Sequence, residues 1–217
     1  MATILEILST CFLRPGSQVY AEENGSFGIA TLRRRHVSVR GDTVRFDFPG
    51  KSGKRQEHEL RSRKVARVVR SLLALPGREV FKFADAPGTL VDVRRRDINA
   101  YIKDVMGQNF SAKDFRTWAG TLICACALAR AGVEAGESRA GRKKKLVAAI
   151  RETADRLGNT VAVCRSSYIH PGVLAGFEKG KVIERNFDTV EELLARRRRG
   201  LRESEKAILR LLKEKAA

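Results

Sequence analysis

Acidic side chains, aromatic rings, histidines and long apolar runs are all scarce in this 217-residue chain, and each shortage removes a class of function. Asp and Glu number 25 against 43 Lys and Arg, which leaves a net charge of +18 and an isoelectric point near 10.4. So large an excess repels itself in a compact fold and is explained by a polyanionic partner. Aromatic residues make up 6% of the chain and few of them interleave with the basic runs, so stacking platforms for single-stranded nucleic acid are not indicated. The three histidines are scattered. Of the four cysteines, Cys11, Cys124, Cys126 and Cys164, the close pair is spaced C-x-C with no histidine near it. That pattern argues against a zinc site and reads as small buried thiols in a reducing compartment. No apolar stretch reaches the length of a membrane span, and the first residues, Met1 to Leu8, carry no basic leader and are interrupted by Glu6. These features predict a soluble, cytoplasmic, nucleoid-associated monomer.

Apolar content is ordinary at 43%, enough for a sizeable core. Ile4, Leu5, Leu8, Cys11 and Phe12 recur at helical spacing and predict a helix over 2–13, ended by Arg14-Pro15-Gly16. The period then changes to two. Val37 and Val39, then Val44, Phe46 and Phe48, flank a Gly41-Asp42 turn, and Pro49-Gly50-Lys51-Ser52-Gly53 is a second turn before a polar strand at 55–60. From about residue 62 the pattern is helical almost throughout. Ser111 with Asp114 forms a capping box before a long apolar helix from Phe115 to about Ala131, 132–141 reads as a polar linker, and Lys144 to Leu157 is a further helix closed by Gly158. Asp188 with Glu191 is another capping box. The expected fold is α+β but mainly α: one catalytic domain over 1–217 with a small antiparallel three-stranded sheet at 27–60, a helical body at 62–185 and basic C-terminal helices at 188–217.

Five side chains form a chemical set: Arg14, Lys51, Arg116, Asn159 and Tyr168. A tyrosine hydroxyl can attack a phosphodiester and keep its energy in a phosphotyrosyl ester. Charge that gathers on the non-bridging oxygens is matched by fixed guanidinium forks, and a lysine can protonate the leaving oxygen. Singly, each residue has a plainer reading. Tyr168 can be a packed tyrosine, Arg14 a helix C-cap, Lys51 and Lys54 solvated turn lysines, and Asn159 a helix-terminating residue. Arg116, near the positive end of a helix dipole, is better explained by an anion than by a surface ion pair.

Four segments weigh the set as a whole. They are Asn24-Gly25-Ser26-Phe27-Gly28 leading to Thr31-Leu32-Arg33-Arg34-Arg35-His36, the turn Gly50-Lys51-Ser52-Gly53, the run Lys113-Asp114-Phe115-Arg116-Thr117-Trp118-Ala119-Gly120, and Ser167-Tyr168-Ile169-His170-Pro171. In this order, from Leu13 through Pro171, the chain resembles the catalytic domain of type IB DNA topoisomerases of the bacterial and poxvirus kind. The resemblance implies that Tyr168 is the nucleophile, that Arg14 and Arg116 stabilise the phosphorane, and that Lys51 protonates the leaving 5′-oxygen. Asn159 stands where many relatives carry histidine, and bacterial-like members are similar in having Asn there. Tyr20 and Lys113 match positions that contact the DNA backbone. Pro15 departs from the family, where an aliphatic residue is common, and the β-rich N-terminal clamp domain of small family members is expected to be absent. The implied activity is relaxation of supercoiled duplex DNA through a 3′-phosphotyrosyl intermediate, with neither metal nor nucleotide cofactor.

Basic runs at Arg33–Arg35, Arg94–Arg96, Arg142–Lys145 and Arg196–Arg199 suggest a surface that tracks duplex phosphates with little base readout. Arg33, Arg34, Arg35, Lys54, Arg142, Lys143, Lys144 and Lys145 join Tyr20 and Lys113 as candidate DNA contacts, and the Arg142–Lys145 run, which follows a flexible linker, is expected to order on DNA. Two rivals stand beside this reading. A tyrosine recombinase shares fold and nucleophile but usually shows His-x-x-Arg where this chain has Lys113-Asp114-Phe115-Arg116. A DNA-binding fragment without turnover is the rival from another class.

Overall fold

The computed structural model describes residues 1–86, 88–184 and 200–213. It divides into two compact units, Met1–Arg116 and Thr117–Ala217, the division falling inside one long helix.

In the first unit, helix α1 (Ala2–Cys11) buries Ile4, Ile7, Leu8 and Cys11, the one-sided stripe that its spacing predicts. It stops two residues earlier than expected because Phe12 turns left-handed at φ 54°, its N–H closing onto the Leu8 carbonyl. Strands β1 (Val37–Arg40), β2 (Thr43–Pro49) and β3 (Arg55–Arg61) form the expected antiparallel sheet in the order β1-β2-β3, with Val37 opposite Phe46 and Phe46 opposite His58. The alternation of β2 is real: Val44, Phe46 and Phe48 are buried while Arg45 is exposed. Helix α3 (Arg63–Ala74) starts at Ser62, whose hydroxyl accepts from the Val65 amide.

Two elements of this unit differ from the sequence reading. Helix α2 (Gln18–Glu23) is a short turn too brief to show a period. Strands β4 (Lys82–Ala84) and β5 (Leu90–Asp92) form a small hairpin inside what reads as helical sequence. Three-residue strands supply at most one alternation, which is below what a periodicity argument resolves. Helix α4 (Arg95–Met106) follows, burying Ile98 and Ile102.

Helix α5 (Ala112–Ala131) opens on the predicted box: the Ser111 amide and hydroxyl both donate to Asp114 Oδ2, at 2.8 and 2.9 Å. In the second unit α5 is buried almost all round from Ala119 to Ala129, as the central helix of a bundle is. Helix α6 (Arg139–Leu157) begins five residues earlier than its apolar pattern suggests, because Ser138 caps it by accepting from the Gly141 amide at 3.1 Å. Gly141 is thus inside the helix and not a breaker. Helices α7 (Val161–Ser167) and α8 (Pro171–Glu178) follow, and α9 (Glu203–Lys213) packs against α8, with Leu211 and Leu212 beside Gly176 and Gly172. The expected capping box Asp188/Glu191 and the run Arg196–Arg199 lie outside the described residues.

Candidate active site

Three of the five candidate residues sit in the first unit. Arg14 lies three residues past the end of α1, whose closing backbone cap is made by Phe12. Its backbone is strapped: the amides of Ile29 and Ala30 donate to the carbonyls of Arg14 and Pro15 at 2.9 and 3.0 Å. Gly28 makes this possible, since a Cβ there would sit 2.5 Å from both the Arg14 carbonyl and the Gly16 amide. The neighbouring Phe27 amide donates to the Pro49 carbonyl at 2.9 Å, at the foot of the Lys51 turn. The Phe27–Ile29 backbone therefore ties the Arg14 segment to the base of the hairpin that carries Lys51. The motif Asn24 to Gly28 acts through its backbone, which a reading of side chains alone does not reveal.

Lys51 itself is exposed on a tight turn over Lys51–Gly53, in which Ser52 adopts a left-handed φ of 60°. Arg116 has the opposite setting. It is 3% exposed, and its Nη1 donates to the Phe12 carbonyl, two residues before Arg14. His58 on β3 lies close enough to feel its charge. Burial first, and then the Arg116 guanidinium, push the His58 imidazole down to about 4, so it is neutral near pH 7 and leaves the cationic work to Arg116. His58 went unnoticed in the sequence because nothing local links a strand histidine to an arginine 58 positions away.

The other two residues bracket α7 in the second unit. Gly158 and Asn159 close α6 with paired bonds, Gly158 N–H to the Asp155 carbonyl at 3.1 Å and Asn159 N–H to the Ala154 carbonyl at 2.9 Å. Gly158, at φ 60°, supplies the left-handed turn. The backbone of Asn159 is thereby fixed at the end of α6. Thr160 then caps α7.

Tyr168 is the C-terminal residue beyond α7, half-buried, its amide donating to the Cys164 carbonyl at 3.0 Å. Each of its neighbours in the motif has an assigned task. Ile169 is buried, His170 Nδ1 accepts from the Gly172 amide at 3.0 Å and so caps α8, and Pro171 occupies the first helical position. The His170 amide donates to Thr121 Oγ1 on α5 at 3.0 Å. Gly120, the last residue of its own motif, faces the Tyr168 backbone, and a Cβ there would collide with the Tyr168 carbonyl. The nucleophile candidate is thus seated between two helix ends against a gap that only glycine leaves.

The candidate DNA contacts separate once their partners are seen. Tyr20, Lys54, Lys113, Lys143 and Lys144 are exposed. Arg33 lies over the Phe27 ring at 5.0 Å, Arg34 Nη1 donates to the Leu75 carbonyl at 3.1 Å, and Arg35 Nε donates to His36 Nε2 at 3.3 Å. Arg142 and Lys145 are partly exposed and engaged by the fold's own acceptors. Arg142 Nη1 donates to the Glu178 carbonyl at 2.9 Å, and Lys145 Nζ pairs with Glu134 and Glu137 at 2.9 Å each, which raises its pKa. The Arg142–Lys145 run, expected to order on DNA, is already helical within α6. The cysteines are all free and buried, and burial pushes Cys124 and Cys126 up to about 12, as inert core thiols require. Among the described residues no His, Cys, Asp and Glu cluster suits a metal ion, and no helix is long and apolar enough to cross a membrane.

Comparison with known proteins places the chain in a family. A model of the catalytic core of eukaryotic DNA topoisomerase I matches residues 1–192, which takes in all five candidates. DNA topoisomerase 1B of Acanthamoeba polyphaga mimivirus is 30% identical over 202 residues, covering 89% of this chain and 60% of that protein. DNA topoisomerase I of Monkeypox virus and DNA topoisomerase 1B of Vaccinia virus (strain Copenhagen) are each 24% identical over 179 residues, covering 80% of this chain and 52% of theirs. The chain belongs to the type IB DNA topoisomerase family. It spans between about half and three-fifths of the length of these relatives.

Proposed function

We propose that this chain relaxes supercoiled duplex DNA by cutting and resealing one strand through Tyr168. The phenolic oxygen gives up its proton to water and attacks a backbone phosphorus. The bond from phosphorus to the 5′-oxygen breaks, and the tyrosine is left joined to the 3′-phosphate. Lys51 gives a proton to the departing 5′-oxygen, for which an exposed turn with reach is well suited. Arg14 and Arg116 offset the charge that builds on the non-bridging oxygens, aided by the Asn159 amide. After the free end swivels, the 5′-hydroxyl returns its proton and attacks the phosphotyrosyl ester, restoring the original bond. Because each ester replaces another of similar energy, the cycle needs no nucleotide hydrolysis.

The observation that carries this reading is the seat of Tyr168. Its flanks are consumed by a helix cap, a buried anchor and a glycine gap, a degree of local provision that a surface tyrosine does not need. The test is relaxation of supercoiled plasmid in EDTA without ATP, by the wild type and by Tyr168→Phe. Relaxation by the wild type alone, with a covalent protein–DNA adduct trapped by denaturant, supports the assignment. An adduct formed by Tyr168→Phe overturns it. DNA binding without relaxation by either protein makes the chain a binding fragment.

A further inference from the structure

Of the basic runs in the described residues, Arg94–Arg96 is arranged unlike the others. Arg33–Arg35 spend their guanidiniums on Phe27, a carbonyl and His36, and Arg142 and Lys145 on the fold's own acceptors. Arg94, Arg95 and Arg96 are exposed, and they line one side of a surface pocket of about 670 Å³. The same pocket is lined by Gly16, Ser17 and Gln18, which follow Arg14-Pro15, and by Ala30 and Thr31. Two carboxylates lie near: Asp97, 3.6 Å from Arg96 Nε and bonded to the Arg94 amide at 2.7 Å, and Glu79, which accepts from the lining Gln18 Nε2 at 3.4 Å. Three guanidiniums crowded at the positive end of α4 repel one another and the helix dipole, an arrangement relieved by a bound anion.

The pocket is also joined to the candidate site within the first unit. Its Asn99 side chain accepts from the Ala112 amide at 3.0 Å, at the start of the helix that bears Arg116. Its lining residues Gly16 and Ala30 adjoin the segment in which the Arg14 and Pro15 carbonyls accept from the Ile29 and Ala30 amides.

We propose that Arg94, Arg95 and Arg96 form a cradle for phosphates of the duplex backbone, distinct from the phosphate that Tyr168 attacks, and that this contact sets the register of the strand relative to Arg14. The inference rests on the duplex-DNA reading above. Its ligand class is the phosphodiester, with no base readout, because guanidiniums on an open pocket wall meet the sugar–phosphate edge.

The experiment compares R94A/R95A/R96A with K64A/R67A/K103A, an equal loss of charge from exposed helical positions outside the pocket. Arg94 makes no side-chain cap and alanine favours helix, so α4 is retained, which circular dichroism checks. Binding of a short duplex by fluorescence anisotropy is measured from 50 to 200 mM salt. The cradle predicts a slope of log K against log salt shallower by about 0.9 for each phosphate released, with affinity weaker by about 5-fold or more, for the pocket triple alone. Equal losses in both triples mean that net charge alone matters and overturn the cradle, as does an unchanged slope in the pocket triple. A wild type that fails to bind duplex at all overturns the underlying DNA reading instead.

Discussion

Lys51 and Tyr168 stand in opposite surroundings. Lys51 is exposed at the tip of the β2–β3 hairpin, on a turn whose Ser52 and Gly53 are both left-handed, at φ 60° and 70°. Tyr168 is half-buried at a junction where α7 ends, α8 begins and α5 passes close by. The contrast follows from what each is proposed to do. An attacking oxygen must meet phosphorus in line, so its backbone has to be fixed, and a misplacement of about 1 Å can cost about 10²-fold. A proton donor needs only reach and the right charge, which a flexible four-carbon stem on an exposed turn provides.

The largest break in this comparison comes from Tyr168→Phe, which removes the attacking atom and leaves the seat intact. Covalent adduct should fall by at least about 10⁴-fold, read by denaturing gel, with duplex affinity and melting temperature little changed. Next is Lys51→Ala, expected to slow single-turnover cleavage by about 10²–10⁴-fold without unfolding the hairpin. A substrate whose leaving group is less basic than a 5′-hydroxyl should recover most of that loss for Lys51→Ala and none of it for Tyr168→Phe. Equal recovery in both would dissolve the distinction between acid and nucleophile.

Gly120→Ala against Gly53→Ala sharpens it further. At Gly120 the added methyl meets the Tyr168 carbonyl, so α5 or the Tyr168 backbone must shift, at about 1–3 kcal/mol of stability. Cleavage should slow by about 10–10²-fold. At Gly53 nothing lies within 4 Å of the added atom and the cost is the left-handed φ alone, about 1–2 kcal/mol. Its cleavage rate should fall much less than that of Gly120→Ala, even where the two melting temperatures drop alike.

The same contrast marks what the sequence discloses. The Lys51 turn was legible, since Pro49-Gly50 and Gly53 between alternating segments specify a hairpin by local chemistry. The three-stranded antiparallel sheet, the capping box at Ser111 and the stripe of α1 were legible for the same reason. The seat of Tyr168 was visible only as a motif: Gly120 is 48 residues from Tyr168, and nothing near either residue states that one backbone needs the other's missing side chain. Charge runs conceal partners in a related way. The run that holds Arg142 and Lys145 shows no local sign of Glu134, Glu137 and the Glu178 carbonyl, which the fold brings to them. The hairpin at Lys82–Asp92 was hidden by its brevity.

His58 joins the hairpin to Arg116 and gives the smallest and most local test. In the unfolded chain its imidazole titrates near 6.5, whereas in the fold burial and then the Arg116 charge hold it down to about 4. The unfolded state therefore takes up the proton first as pH falls. Stability from this group is fully present above pH 6.5 and is lost between 6.5 and 4, by at most about 1.4 kcal/mol per pH unit. His36 behaves alike, lowered to about 4 by burial and then by Arg35 and Arg33, with Asp47 opposing, so the wild type carries two such slopes. His58→Gln should remove about half of the fall in unfolding free energy between pH 6.5 and 5, a window that lies above most carboxylate titration. A variant whose stability falls as steeply as the wild type's over that window would show that His58 is not held neutral beside Arg116. The hairpin and the buried arginine would then have no electrostatic link through this strand.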